Sequence, residues 1–131
     1  MAENVISVVA ALIRDDLGRV LLVRKRGTAA FMQPGGKRDA GESDVAELGC
    51  RVVAGSAQAL GVFDCPAANE PGFQVRAAVY AVDVEGAIAP RAEIDRMVWV
   101  DPRALPDLQL APLTRDHVLP LARGYDSIER G

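Results

Sequence analysis

The chain has 131 residues, half of them hydrophobic and a quarter charged, with a formal net charge of −3 and a pI near 5.1. This is enough chain for one compact domain, 1–131, that buries about two thirds of its unfolded surface. An acidic balance excludes bulk, non-specific nucleic-acid binding, which needs a cationic surface to displace counterions, but a small phosphorylated ligand needs only local positive charge.

The cysteines, Cys50 and Cys65, are too few for a disulfide scaffold in a chain able to form a core. The opening Met-Ala-Glu-Asn lacks the basic region of a signal peptide, and no apolar run approaches the roughly 18 residues of a membrane span. The expectation is a cytoplasmic protein with no membrane partner.

Along the chain, Asn4 to Ile13 is rich in Val, Ile and Ala and reads as a strand. Asp15-Asp16-Leu17-Gly18 is a turn into a second strand, Arg19 to Val23, and the two are expected to form a hairpin. Arg24, Lys25 and Arg26 follow, either to attract phosphate or as a solvated strand end. Phe31-Met32 is a short apolar stretch, and Pro34-Gly35-Gly36 predicts a loop. Ser43 suits a helix N-cap with Asp44 in the first turn, and Gly49 ends that helix after Leu48. Arg51 to Phe63 and Phe73 to Val84 read as strands joined across Pro66 to Gly72. Glu93 to Val100 gives a further strand. Ala111 to Arg123 predicts a C-terminal helix, tolerant of Pro112 in its first turn and bent or ended by Pro120.

The segment from Pro34 to Cys50 carries the most specific signal. Pro34-Gly35-Gly36, Gly41-Glu42 and Glu47-Leu48-Gly49-Cys50 resemble the two ends of the Nudix box, G-x5-E-x7-R-E-U-x-E-E-x-G-U with U aliphatic. The pattern sets its first and last Glu thirteen positions apart; Glu42 and Glu47 are five apart, so eight residues are missing, the Arg-Glu pair among them. An ungapped alignment puts the R-E-U-x-E-E positions on Cys50 to Gly55, which contain no acid and read as a strand. The gapped alignment keeps Gly49 as a helix end. In R-E-x-x-E-E three carboxylates share one helix face at i, i+3 and i+4. Here those positions are Ser43, Ala46 and Glu47.

The resemblance, covering about residues 5 to 123, implies a Nudix-type α/β/α sandwich with a mixed β-sheet and a truncated catalytic helix. It implies a hydrolase of a nucleoside diphosphate linked to another moiety, MutT-like, its activity impaired by the incomplete box, or a Nudix-fold domain that only binds nucleotide or serves a structural role. It further implies Mg²⁺ or Mn²⁺, held by the Gly36 carbonyl, Glu42 and Glu47, with Gly35 and Gly36 close to the diphosphate; Asp44, at i, i+3 from Glu47, is a further candidate ligand from its spacing. Glu47 matches the last box Glu; Glu42 stands at the first, with a solvated helix-start acid as its other reading. Glu93 lies where some family members place an extra ligand or base. Asp39, Glu42, Asp44 and Glu47 together are either a weak cation cluster or solvated surface. Arg24 and Arg26 are the candidate phosphate contacts. Phe31, Phe63, Phe73 and Tyr80 read as core or as a base-stacking platform, Trp99 as core, and His117 as a surface or helix-packing residue.

Overall fold

In the computed structural model, residues 4–37, 51–67, 71–86, 88–89 and 94–123 are described. They form β1 (Val5–Ile13), β2 (Val20–Lys25), β3 (Gly35–Lys37), β4 (Arg51–Val52), β5 (Gln58–Pro66), β6 (Gln74–Val82), β7 (Val84–Glu85) and β8 (Ile94–Val100), followed by a C-terminal helix over 112–123. This is a mixed α/β fold. Its main sheet runs β3-β1-β6-β5, with β1 and β6 parallel and both outer pairs antiparallel; β2-β8 and β4-β7 are separate two-stranded ladders.

Side-chain alternation divides the core. On β1, Ala10 and Leu12 join Val20 and Leu22 of β2 and the helix residues Leu113, Val118, Leu119 and Ala122 in one cluster. The intervening residues Ala11, Ile13, Leu21 and Val23 join Ile94 in a second, edged by Met97 and Trp99. Period-two alternation explains the split, since successive Cβ atoms leave opposite faces of a strand. Val20 to Val23 are thus all 0% exposed although they are consecutive.

Three expectations are corrected. The turn after β1 forms, with Asp15 Oδ1 accepting from the Leu17 and Arg19 amides at 3.0 and 2.8 Å and Gly18 at φ 79°. The hairpin does not extend beyond the Arg14–Val20 bridge, because β2 then pairs with β8 while β1 pairs with β3 and β6. Each strand thereby gains a partner, and β2 buries Val20 to Val23 on both faces. Secondly, Arg51 to Phe63 is two strands: a turn at Gly55 (φ 79°) redirects the chain, and the Ser56 hydroxyl bonds to Val53 O at 2.7 Å. Thirdly, Pro34-Gly35-Gly36 is not a loop, since Gly35 and Gly36 open β3. The C-terminal helix forms as expected and passes through Pro120 to 123. A π-helical turn, Thr114–Val118, lies just ahead of that proline, with the Leu119 amide donating to Thr114 O. Such widening relieves the contact that a proline ring otherwise makes with the carbonyl four residues earlier.

Candidate functional site

Gly35 and Gly36 pair antiparallel with Ala10 and Val9 of β1. A Cβ built on Gly35 would lie 2.3 Å from the Val9 carbonyl oxygen and 3.1 Å from Ala10 Cα. Only glycine permits this approach, because the obstructing atoms are backbone of a central strand. What reads in sequence as loop-forming glycine is glycine of close strand contact. Pro34, which has no N–H to place in a ladder, enters the strand and accepts from Ala11 N at 2.7 Å.

The chain leading to β3 is fixed at several points. Met32 exchanges both backbone bonds with Val23, at 2.7 and 2.8 Å. Phe31 N donates to Gln109 O at 2.8 Å, and Phe31 O accepts from Ala111 N at 2.9 Å. Next comes a buried polar contact. The Thr114 hydroxyl donates to Gln33 Oε1 at 2.7 Å and accepts from the Gln33 amide at 3.3 Å. Thr114 is fully buried and Gln33 is 8% exposed. Neither residue is singled out by the sequence pattern. The available signal was a polar residue inside an apolar run: Gln33 follows Phe31-Met32, and Thr114 follows Ala111-Pro112-Leu113.

Of the proposed phosphate contacts, Arg24 sits over the Phe31 ring at 5.7 Å and places Nε 3.4 Å from Asp95 Oδ1. Phe31 itself is a core residue, 8% exposed. Arg26 lies in the turn after β2, beside Gly27 at φ 82°. Lys25 pairs with Ile94, so β8 starts beside the basic end of β2, despite about seventy intervening residues. Glu42, Asp44, Glu47 and Glu93, and Asp39 with them, lie outside the described residues. Among the described residues no group of three or more His, Cys, Asp or Glu side chains is placed to hold a metal ion. The Gly36 backbone is the one member of the expected ligand set within the described part of the fold.

The remaining candidates have packing roles. His117 stacks on Phe63, with ring centroids 4.8 Å apart and 27° between planes, joining the helix to the main sheet. Phe63 and Trp99 pack against the two core clusters. Cys65 is a free, buried thiol whose pKa is raised, first by burial and then by the charges of Asp116 and Asp64. Asp64 bonds Arg76 on the neighbouring strand at 2.9 and 3.2 Å, and these bonds hold its carboxyl below the ordinary range.

By sequence, no family model and no curated protein matches the chain. By structure, it is similar to a MutT Nudix hydrolase from Burkholderia pseudomallei, with a TM-score of 0.73 and 26% identity over 91% of this chain and 98% of that one. It also shares its fold with a UDP-X diphosphatase, at TM-score 0.65 and 22% identity over 92% of this chain and 64% of that one. A third likeness is the Nudix domain of Shewanella oneidensis NrtR, solved with ADP ribose, at TM-score 0.67 and 19% identity over 92% of this chain and 87% of that one. A mixed sheet with a glycine strand against its central strand, in an architecture shared with these proteins, defines a MutT-like α/β fold. The chain's fold is that of these structural neighbours, which are MutT and Nudix proteins. No helix among the described residues is long and apolar enough to cross a membrane.

Proposed function

We propose that the protein is a Nudix-type domain for a nucleoside diphosphate linked to another moiety, with hydrolysis impaired by its shortened box. The observation that carries this reading is the glycine-only contact of Gly35 with Val9, which sets Gly36 directly ahead of the acidic segment. The domain would span 1–131 and work in the cytoplasm. Fold likeness supplies the ancestry, whereas activity belongs to the site.

The proposed donor set is entirely oxygen: the Gly36 carbonyl and the carboxylates of Glu42, Asp44 and Glu47. Such donors suit Mg²⁺ or Mn²⁺. When bound, the ion would polarise the diphosphate and lower the pKa of a water. Gly35 and Gly36 would let the ligand approach the backbone, Arg24 and Arg26 would attract its phosphates, and Glu93 would serve as an additional base. UDP-X and ADP-ribose, the compounds named with two structural neighbours, indicate the substrate types to test first.

A second reading, ligand binding without hydrolysis, is favoured by the missing Arg-Glu. The decisive experiment assays a panel of nucleoside diphosphate sugars, including ADP-ribose, with Mg²⁺ or Mn²⁺, on this chain and on a variant with eight residues inserted before Glu47 to restore R-E-U-x-E-E. Binding by the first and sharply increased turnover by the second are expected. Ordinary enzymatic rates in the unaltered chain, or no effect of the insertion, would refute the impaired-box argument.

A further inference from the structure

The Gln33–Thr114 contact has a chemical completeness that space filling does not require. A threonine hydroxyl has one proton to donate and lone pairs to accept with. Here the proton goes to the Gln33 side chain and a lone pair takes the Gln33 amide. Both ends of one residue are therefore held by one buried oxygen. That residue directly precedes Pro34, Gly35 and Gly36. On the other side, Thr114 opens the π-helical turn, its carbonyl accepting from Leu119 N. Single π turns within helices recur at functional sites.

We infer that Gln33 and Thr114 are a positioning pair that fixes the glycine strand relative to the C-terminal helix and so sets the height of the Gly35–Gly36 backbone for its ligand. The ligand part rests on the proposed function above. The geometry favours positioning over cohesion alone. Met32 and Phe31 already anchor the chain upstream through four backbone bonds. Downstream, the Pro34 carbonyl meets Ala11 N and Gly35 meets Val9 with no tolerance for a methyl group. Between these anchors, Gln33 is the residue whose side chain ties β3 to an element outside the sheet. An apolar pair would fill the volume but would not define a direction. Directional buried polar contacts are best attested in setting register.

The test combines Thr114→Val, Gln33→Leu, the double variant and Thr114→Ser. The ligand-independent readout is amide exchange at Ala11, whose N–H reaches Pro34 O, normalised to Val79 in the β6 core. The double variant removes both polar side chains but leaves the residue-33 backbone N–H, which donated to the Thr114 hydroxyl, without that acceptor. It is therefore expected to melt below the wild type, with Ala11 protection falling on the order of tenfold further than that of Val79, the effect of about one hydrogen bond. Thr114→Ser, which keeps the hydroxyl, restores it. ADP-ribose affinity with Mg²⁺, measured by calorimetry, follows the Ala11 readout rather than the melting temperature. Ala11 protection unchanged in the double variant, or lost only in proportion to Val79, overturns the inference. If the wild type binds no panel ligand, the proposed function fails, while the Ala11 result still decides whether the pair positions the strand.

Discussion

Replacing Gly35 with alanine is the sharpest test of how the glycine strand is built. The added Cβ would lie 2.3 Å from Val9 O, 3.1 Å from Ala10 Cα and 3.3 Å from Val9 C, all backbone atoms. Restoring even a 3.0 Å separation needs a shift of about 0.7 Å, the difference from that 2.3 Å contact. Strand β1 cannot yield readily, because it pairs with β6 at all nine positions from Val5 to Ile13 and buries Ala10 and Leu12. The displacement therefore falls on β3. Overpacking costs about 1–3 kcal/mol, and a weakened ladder bond adds about 1 kcal/mol. A total of about 2–4 kcal/mol corresponds to a melting temperature lower by about 8–16 °C, at roughly 4 °C per kcal/mol for a domain of this size. Gly27→Ala is the control: its φ is +82° but nothing lies within 4 Å of a built Cβ, so only the conformational cost of about 1 kcal/mol applies. Thermal unfolding followed by far-ultraviolet circular dichroism measures both. A Gly35→Ala variant melting within about 3 °C of wild type, or above Gly27→Ala, would refute the steric account.

The parent chain should itself melt cooperatively with a mixed α/β spectrum, because β1, β2, β6, β8 and the helix share the two clusters; strong hydrophobic-dye binding with a sloping transition would count against this. Titration calorimetry should find no submillimolar Mg²⁺ site without nucleotide, since the proposed shortened box has an acid at one of the pattern's three R-E-x-x-E-E glutamate positions and Mg²⁺ surrenders water reluctantly. A tight site abolished by Glu47→Gln would show that Asp44, Glu42 or Glu93 replaces the missing acids. At Asp15, burial pushes the carboxyl up, but hydrogen bonds from Arg19 and Leu17 outweigh it and the pKa is lowered from 3.8. A lowered folded-state pKa means stability present above 3.8 and lost as pH falls through the folded value. Asp15→Asn should therefore reduce stability at neutral pH and flatten its loss below about pH 4, as urea titrations across pH would measure.

The sequence by itself located most of the long strands and carried the resemblance to a family. Periodicity located β1, β2, β6 and β8, because a half-buried or fully buried strand must carry its apolar residues in register with the pleat. The glycines and acids of residues 34 to 50 pointed to the Nudix hydrolases, an assignment the structural likenesses support. Pairing was decided only by tertiary structure. Nothing local tells β2 to leave β1 for β8, because that choice depends on burying Leu21 and Val23 against Ile94, about seventy residues away. Nor does Gly35-Gly36 announce a strand, since a local rule sees the freedom of glycine but not the Val9 carbonyl that requires it. Pro120 left open in the sequence whether the helix bends or ends there; the π turn before it and the helix's seat on the core keep the chain helical to 123. The Gln33–Thr114 contact joins residues 81 positions apart, and its meaning resides in the fold because neither residue is unusual until the other is beside it.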